Sequence, residues 1–147
     1  YQKLSISYFT IMREKKMPVL VMFIDLDRLK YINDTFGHEY GDFAIVSIAK
    51  AMLKHCDADA IAARTGGDEF IVLEGAKDEE SGRVLAQKIR TELSKTQRAM
   101  QLPFDLSASI GVVVAHPGEE NVLESYVKRA EMLMYEEKAE KKVSRDS

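Results

Sequence analysis

The sequence is poor in cysteine, tryptophan and proline, with one, none and three of these residues among 147. The single Cys56 cannot form an internal disulfide and has no cysteine neighbour for a zinc site, so a reducing, cytoplasmic compartment is expected. Twenty-one basic and 24 acidic residues leave a formal charge of −3. This balance lacks the basic surface of proteins that track a phosphate backbone, so nucleic acid is not an expected partner.

Long apolar runs are also missing. No stretch reaches the roughly 18 residues that a membrane span needs, and no charged and apolar leader opens the chain. The chain begins at Tyr1 rather than at a methionine, so it is expected to be a piece of a longer protein, whose membrane anchoring stays open. At 147 residues with 46% apolar content, a single domain over residues 1–147 with one packed core is expected.

The pattern of apolar residues predicts four strands and five helices. The run Val19–Ile24 is continuously apolar, which is typical of a strand covered on both faces, and Asp25 stands where the run stops. An opening helix extends to about Lys16, and the tail from about residue 139 is charged and predicted to be frayed. The other predicted elements are a short helix capped by Asp27 and ended by Gly37, a helix capped by Asp42, strands at 60–65 and 70–73, a helix at 79–96, a strand at 104–114 and a helix at 122–138.

The order of these elements predicts an α/β sandwich, in which helices flank a central mixed sheet. The strands at 60–65 and 70–73 are predicted to form a hairpin across Gly66-Gly67, a dipeptide suited to the positive φ angles of a tight turn. Asp68 and Glu69 then lie at the hairpin tip. Each chemical motif has a bland alternative: Asp25-Leu26-Asp27 as a helix cap, Gly66–Glu69 as a plain turn, and the lysines as solvated charges.

Taken together, five separated motifs resemble the GGDEF-domain family, the diguanylate cyclases, along essentially the whole chain. They are Gly66–Phe70 after Asp25, Asn33–His38, Gly41-Asp42, Ser109–Gly111, and Tyr135 with Lys138. The resemblance implies a nucleotidyl-cyclase-like GGDEF fold. It also implies the family reaction, in which the ribose 3′-hydroxyl of one GTP attacks the α-phosphorus of another, pyrophosphate leaves, and a second such step closes cyclic di-GMP.

The resemblance assigns roles to particular residues. It implies Mg²⁺ or Mn²⁺, two ions per site, held by Asp25, Glu69 and the carbonyl of Leu26, because hard cations bind oxygen ligands. It places Asp68 where a carboxylate deprotonates or orients the attacking hydroxyl, so Asp68 and Glu69 are the candidate catalytic residues. The implied substrate-binding residues are Asn33 and Asp42 for guanine, Lys30, Lys138 and Lys142 for phosphates, and Gly66 and Gly67, whose missing Cβ atoms allow close approach.

The sequence departs from the family pattern in four places, one of them Glu131, where the family usually has aspartate. The family's leading segment would precede Tyr1 and is absent. Lys142 replaces a phosphate-contacting arginine, which loses the bidentate fork of a guanidinium. At Asp57–Ala60 both charged residues of the family's product-binding site are missing, so inhibition by product through that site is not expected.

The leading hypothesis is an active diguanylate cyclase whose two GTP-loaded copies meet as a transient homodimer, under the control of fused sensory or regulatory domains. The alternative is a catalytically weak or inactive GGDEF module that binds GTP and regulates a fused domain. Intact Asp25, Asp68 and Glu69 favour the first.

Overall fold

A computed structural model of the chain describes residues 2–146. The described elements follow one another in the predicted order, with four strands and five helices. None of these helices is long and apolar enough to cross a membrane. The elements are α1 (Gln2–Glu14), β1 (Val19–Leu26), α2 (Leu29–Phe36), α3 (His38–His55), β2 (Ile61–Arg64), β3 (Glu69–Gly75), α4 (Glu79–Ala99), β4 (Ala108–Ala115) and α5 (Leu123–Asp146).

The strands form one sheet in the order β2-β3-β1-β4. The predicted fold class, a sheet flanked by helices, is confirmed, but every pairing between the described strands is antiparallel where a mixed sheet was expected. The reason lies in the strand order. β3 lies between β1 and β2, which run the same way, and β1 lies between β3 and β4, which run the opposite way, so no two parallel strands are neighbours.

Both faces of β1 are buried, as its continuous apolar run predicted. Val19, Val21 and Phe23 pack into a cluster with side chains from α1 and α5. The alternate side chains of β1 pack on the opposite face of the sheet, against α3 and α4. The domain therefore has three layers with β1 at the centre. Asp25 projects from the same face of β1 as Val19, Val21 and Phe23, so its carboxylate lies on the side covered by α5.

Three predicted helix ends were wrong. Asp27 does not cap α2, which begins at Leu29 after Arg28 in a left-handed conformation, φ 59°. Asp42 does not cap α3, because Gly37, with φ 102°, separates two helices that otherwise adjoin, and α3 already begins at His38. The residues predicted to fray, from 139 onward, continue α5 as a helix to Asp146.

Gly111 in β4 sets the distance between the sheet and α5. A Cβ atom built at this position would lie 1.9 Å from the Ala130 carbonyl oxygen and 2.6 Å from the Met134 backbone nitrogen. Both are main-chain atoms that cannot rotate away. Only glycine therefore allows α5 to pack this closely on the sheet.

Candidate functional site

The predicted metal-binding carboxylates are neighbours on the sheet. In the register of β1 and β3, Asp25 is directly opposite Glu69, and Asp68 precedes Glu69 in the chain. Directly opposed residues of antiparallel strands project from the same face, which here is the face covered by α5. The two acidic side chains, far apart in the sequence, therefore lie side by side at the end of the sheet.

Asp25 occupies an unfavourable electrostatic environment. Its side chain is buried, with 6% of its surface exposed. Burial raises the pKa of Asp25 to about 7; the Lys138 ammonium opposes this rise, and the charges of Asp68 and Glu69 add to it. Burial, Asp68 and Glu131 likewise raise the pKa of Glu69. The space around the carboxylates of Asp25, Asp68 and Glu69, called the carboxylate pocket below, thus concentrates negative charge where little water can solvate it.

Lys138 of α5 reaches into this pocket. Its Nζ lies 3.2 Å from the carbonyl oxygen of Leu26 and 3.6 Å from Asp25 Oδ2. These are two of the three groups predicted to hold a metal ion. A positive charge is already stabilised at this point of the fold, although Lys138 was assigned from sequence to phosphate rather than to the carboxylates.

The residues present fit a hard divalent cation. Asp25 Oδ1 is buried, and no group within residues 2–146 donates a hydrogen bond to it, so it can accept a ligand. No group of three or more His, Cys, Asp or Glu side chains within residues 2–146 is spaced to hold an ion unaided. Two carboxylates and a carbonyl suit Mg²⁺, which takes few protein ligands and completes its shell with water or substrate phosphate.

Asp27 is buried beside Asp25 but is fully bonded. Its carboxylate accepts hydrogen bonds from Ser109 Oγ at 2.6 Å, Ser107 Oγ at 2.7 Å and Lys141 Nζ at 2.7 Å. Burial alone would raise the pKa of Asp27, but the bonds from Lys141, Ser109 and Ser107 hold it below its usual value. Asp27 therefore fixes α5 and β4 to the end of β1. Sequence reasoning missed this role because all three partners lie at least 80 residues away.

The hairpin loop differs in detail from the predicted tight turn. Neither Gly66 nor Gly67 has a φ in the left-handed region, and the loop spans residues 65–68 between β2 and β3. Arg64 stabilises it: the guanidinium donates to the carbonyl of Gly66 at 3.0 Å and to that of Gly67 at 2.5 Å. The signal for this contact was an arginine two positions before the glycines, which sequence reasoning left unused.

A Cβ atom at Gly66 would meet its nearest neighbour, Glu69, at 3.8 Å, and one at Gly67 would meet nothing within 4 Å. The fold of this chain therefore does not require glycine at either position. Close approach of another molecule to the loop backbone remains the physical reason to have it there.

The two predicted guanine-binding residues lie on α2 and α3. The Asn33 side chain packs directly on Gly41, where a Cβ atom would lie 1.8 Å from Asn33 Oδ1. Asp42, which follows Gly41 in the sequence, lies within the length of α3 and its side chain is exposed to solvent. The contact between the helices thus brings the two polar side chains to one region. Lys30 lies on α2 and Lys142 on α5, both exposed.

The family model described as "Diguanylate cyclase, GGDEF domain" matches residues 1–144. The chain is 34% identical over 134 residues to diguanylate cyclase VdcA of Vibrio cholerae, covering 88% of this chain and 39% of that protein. It is 32% identical over 118 residues to the bifunctional diguanylate cyclase/cyclic di-GMP phosphodiesterase MucR of Pseudomonas aeruginosa, covering 80% of this chain and 17% of that protein. The chain thus spans well under half the length of these relatives.

Solved structures agree. The active GGEEF domain of a diguanylate cyclase from Vibrio cholerae superposes with a TM-score of 0.74 at 26% identity, covering 88% of this chain and 82% of that one. An EAL/GGDEF domain protein from M. capsulatus superposes with a TM-score of 0.68 at 33% identity, covering 84% and 80%. With the family match, the fold and the acidic hairpin in agreement, the chain belongs to the GGDEF-domain family, that of the diguanylate cyclases.

Proposed function

We propose that this domain condenses two GTP molecules into cyclic di-GMP with release of pyrophosphate, at the interface of two GTP-loaded copies. The observation that carries the proposal is the pairing of Asp25 with Glu69 beside the Gly66-Gly67 loop, with one Asp25 oxygen buried and free to accept a ligand. A purely structural domain gains nothing from such a site, because a buried unpaired acceptor costs free energy.

The metal site is assigned to Asp25, Glu69 and the carbonyl of Leu26, holding Mg²⁺ or Mn²⁺, with two ions in the assembled site. When bound, the ions neutralise charge that develops on the phosphoryl oxygens and on the leaving pyrophosphate. Bound cations also explain why the fold tolerates a buried carboxylate at Asp25, since a nearby divalent charge favours the ionised form of that carboxylate.

The remaining groups bind and orient the substrate. The loop at Gly66 and Gly67 lets the triphosphate approach the backbone, while Lys30, Lys138 and Lys142 neutralise phosphate charge. Asp68 accepts the proton of the attacking 3′-hydroxyl as the new bond from oxygen to α-phosphorus forms and the bond to pyrophosphate breaks. Asn33 and Asp42 read the guanine edge; adenine lacks the N1–H and exocyclic amine donors that a carboxylate accepts there, so GTP is preferred to ATP.

A second copy of the domain completes the reaction, because one site holds one GTP and the new bond joins two. A twofold arrangement lets both copies contribute the same half-site. The parent protein is proposed to be cytoplasmic in this part and to carry regulatory domains that control the meeting of the two copies. The length of the relatives, well beyond that of this chain, supports this arrangement.

The test is incubation with GTP and Mg²⁺, followed by chromatography of the nucleotides and quantification of pyrophosphate. Two pyrophosphates per cyclic di-GMP and a rate that rises more than linearly with protein concentration are expected. Asp25→Asn and Glu69→Gln should each lower turnover about a thousandfold, since several kcal/mol of charge stabilisation are lost. Arg98→Gln, an exposed position on α4, is the matched control.

The alternative function is a GTP-binding module without turnover that regulates a fused domain. It is kept because PdeR of Escherichia coli, 30% identical over 78% of this chain, is named only as a cyclic di-GMP phosphodiesterase. Saturable GTP binding with no cyclic dinucleotide, at any protein concentration and with either metal, would establish the alternative and exclude the cyclase.

A further inference from the structure

A second feature beside the carboxylate pocket carries positive charge. A cleft of about 390 Å³ lies between the turn after β1 and the last turns of α5. One carboxylate, Asp27, borders it, and the oxygens of that carboxylate already accept from Ser107, Ser109 and Lys141. The cationic lining residues are Arg28, Lys138, Lys142 and Arg145. Lys138 pairs with Asp27 at 3.5 Å, but within residues 2–146 no ion pair joins the other three cations to an acidic side chain, so the cleft keeps a surplus of positive charge.

A larger cavity of about 810 Å³ next to it lacks this imbalance. Its wall pairs acidic with basic side chains, as where Arg90 and Lys141 both contact Glu137. Its charged lining residues are Asp27, Asp105, Glu137 and Glu140 against Arg28, Arg90, Lys141 and Arg145. An anion is thus better matched by the smaller cleft.

The cations of α5 reach the cleft because this helix continues past its predicted end. Lys138, Lys142 and Arg145 are spaced by four and three residues, which places them along one helix face. Lys141, between them, fixes the last turns through Asp27 Oδ2 at 2.7 Å and the Ala108 carbonyl at 2.8 Å. A helix end held in this way presents its charges at defined positions instead of in a mobile tail.

Arg28 closes the cleft from the other side. It stands between β1 and α2 with φ 59°, a conformation that turns the chain sharply, and its guanidinium lies 3.9 Å above the ring of Tyr31. Such stacking restricts the side chain and lowers the entropy lost on binding. Arg28 and Arg145 also supply the planar forks that Lys142 lacks, and forks match pairs of phosphate oxygens.

We propose that Arg28 and Arg145 bind the β- and γ-phosphates of GTP and hold the pyrophosphate that leaves. This inference rests on the proposed function and names two further substrate-binding residues for it. The position of the cleft supports it, since Lys138 borders the cleft and also contacts Asp25 and the Leu26 carbonyl. Phosphate groups in the cleft would thus adjoin the carboxylate pocket.

Titration calorimetry with inorganic pyrophosphate in metal-free buffer tests the inference directly. Arg28→Gln and Arg145→Gln should each weaken pyrophosphate binding about five- to tenfold, the loss expected for one charge-assisted contact at a partly open site. Affinity for GMP, which has only the α-phosphate, should change less than twofold. Arg145→Lys should restore part of the loss, and circular dichroism should show unchanged folding, because both arginines are exposed.

Arg98→Gln removes the same charge from an exposed position outside the cleft and should leave pyrophosphate affinity unchanged. The inference is overturned if this control weakens binding as much as the two variants or if neither variant has an effect. It is also overturned if the unsubstituted domain does not bind pyrophosphate. Product formation from GTP separates the two proposals. Arginine-dependent pyrophosphate binding without cyclic di-GMP would sink only the cyclase, whereas turnover with pyrophosphate affinity indifferent to both arginines would sink only this inference.

Discussion

Asp25 and Asp27 stand two residues apart at the end of β1, with 6% and 5% of their surfaces exposed, yet their carboxylates have opposite surroundings. Asp27 accepts from two hydroxyls and an ammonium, which hold its pKa below the usual range. One oxygen of Asp25 accepts no hydrogen bond from any group in residues 2–146, and burial raises the pKa of Asp25 to about 7. Depth in the protein is the same, so the difference comes from what surrounds each group.

The difference separates a structural from a functional carboxylate within one short motif. Asp27 has no acceptor capacity to spare for a ligand, because the protein itself already uses both oxygens. Asp25 has only the Lys138 ammonium, 3.6 Å from Oδ2, and no group within residues 2–146 donates a hydrogen bond to its Oδ1, so a bound cation would lower its free energy. Substitutions at these two positions should therefore change stability in opposite directions.

Asp27→Ala should give the largest loss of stability. It takes the shared carboxylate acceptor from Lys141, Ser107 and Ser109, and breaking a buried ion pair costs about 3 kcal/mol or more, roughly 10 °C in Tm for a domain of this size. Thermal and urea unfolding measure it, with Asp34→Ala on the exposed side of α2 as control. A loss no greater than that of the control would show that the network does not hold the fold together.

Asp25→Asn should instead stabilise the metal-free protein by about 2 to 4 kcal/mol at pH 8 while removing turnover. A carboxyl whose folded pKa is raised to about 7 opposes folding above its unfolded pKa of about 4, and the penalty is complete above pH 7. The gain should therefore shrink as the pH falls from 7 towards 4.

Unfolding of both variants across this pH range sharpens the contrast. The lowered pKa of Asp27 confines its own pH dependence to acid, below about pH 4, so the loss in Asp27→Ala should be constant between pH 5 and 8. A pH-independent effect of Asp25→Asn would mean that buried charge is not the cause.

Lys141→Met should have the smallest of the three effects, about 1 to 2 kcal/mol of destabilisation, because the hydroxyls of Ser107 and Ser109 still donate hydrogen bonds to Asp27. The damage should be local: the last turns of α5, from residue 139, should exchange amide hydrogens faster and become sensitive to protease. Lys142 is the next residue and is exposed, so Lys142→Met should change the free energy of unfolding by no more than about 0.5 kcal/mol relative to the unsubstituted domain. Equal effects of the two substitutions would remove Lys141 from the network.

Much of the fold could be predicted from local patterns. The apolar run of β1, the two-stranded hairpin and the order of elements are written in short stretches of sequence, and the structure confirms them. The pairing of Asp25 with Glu69 was anticipated only through the family resemblance. Its physical cause is a strand register over seven paired positions, which composition alone does not reveal.

The errors arose where distant residues overrode local preference. Asp27 follows a strand and precedes a helix, the usual place of a cap, but Ser107, Ser109 and Lys141 use its oxygens instead. The tail beyond residue 139 looked frayed because its charges were taken as solvated, although Lys141 contacts a buried carboxylate. Gly66-Gly67 suggested a tight turn, but the Arg64 guanidinium stabilises a longer loop.

The absence of a side chain at Gly111 has a consequence for how such domains can vary. Because α5 rests there on main-chain atoms, the height of the helix above the sheet is set by backbone thickness and not by the bulk of interchangeable side chains. Lys138 and Lys141, one and two turns beyond this contact, inherit that spacing. The reach of these two ammonium groups to Asp25 and Asp27 thus depends on position 111 carrying no side chain.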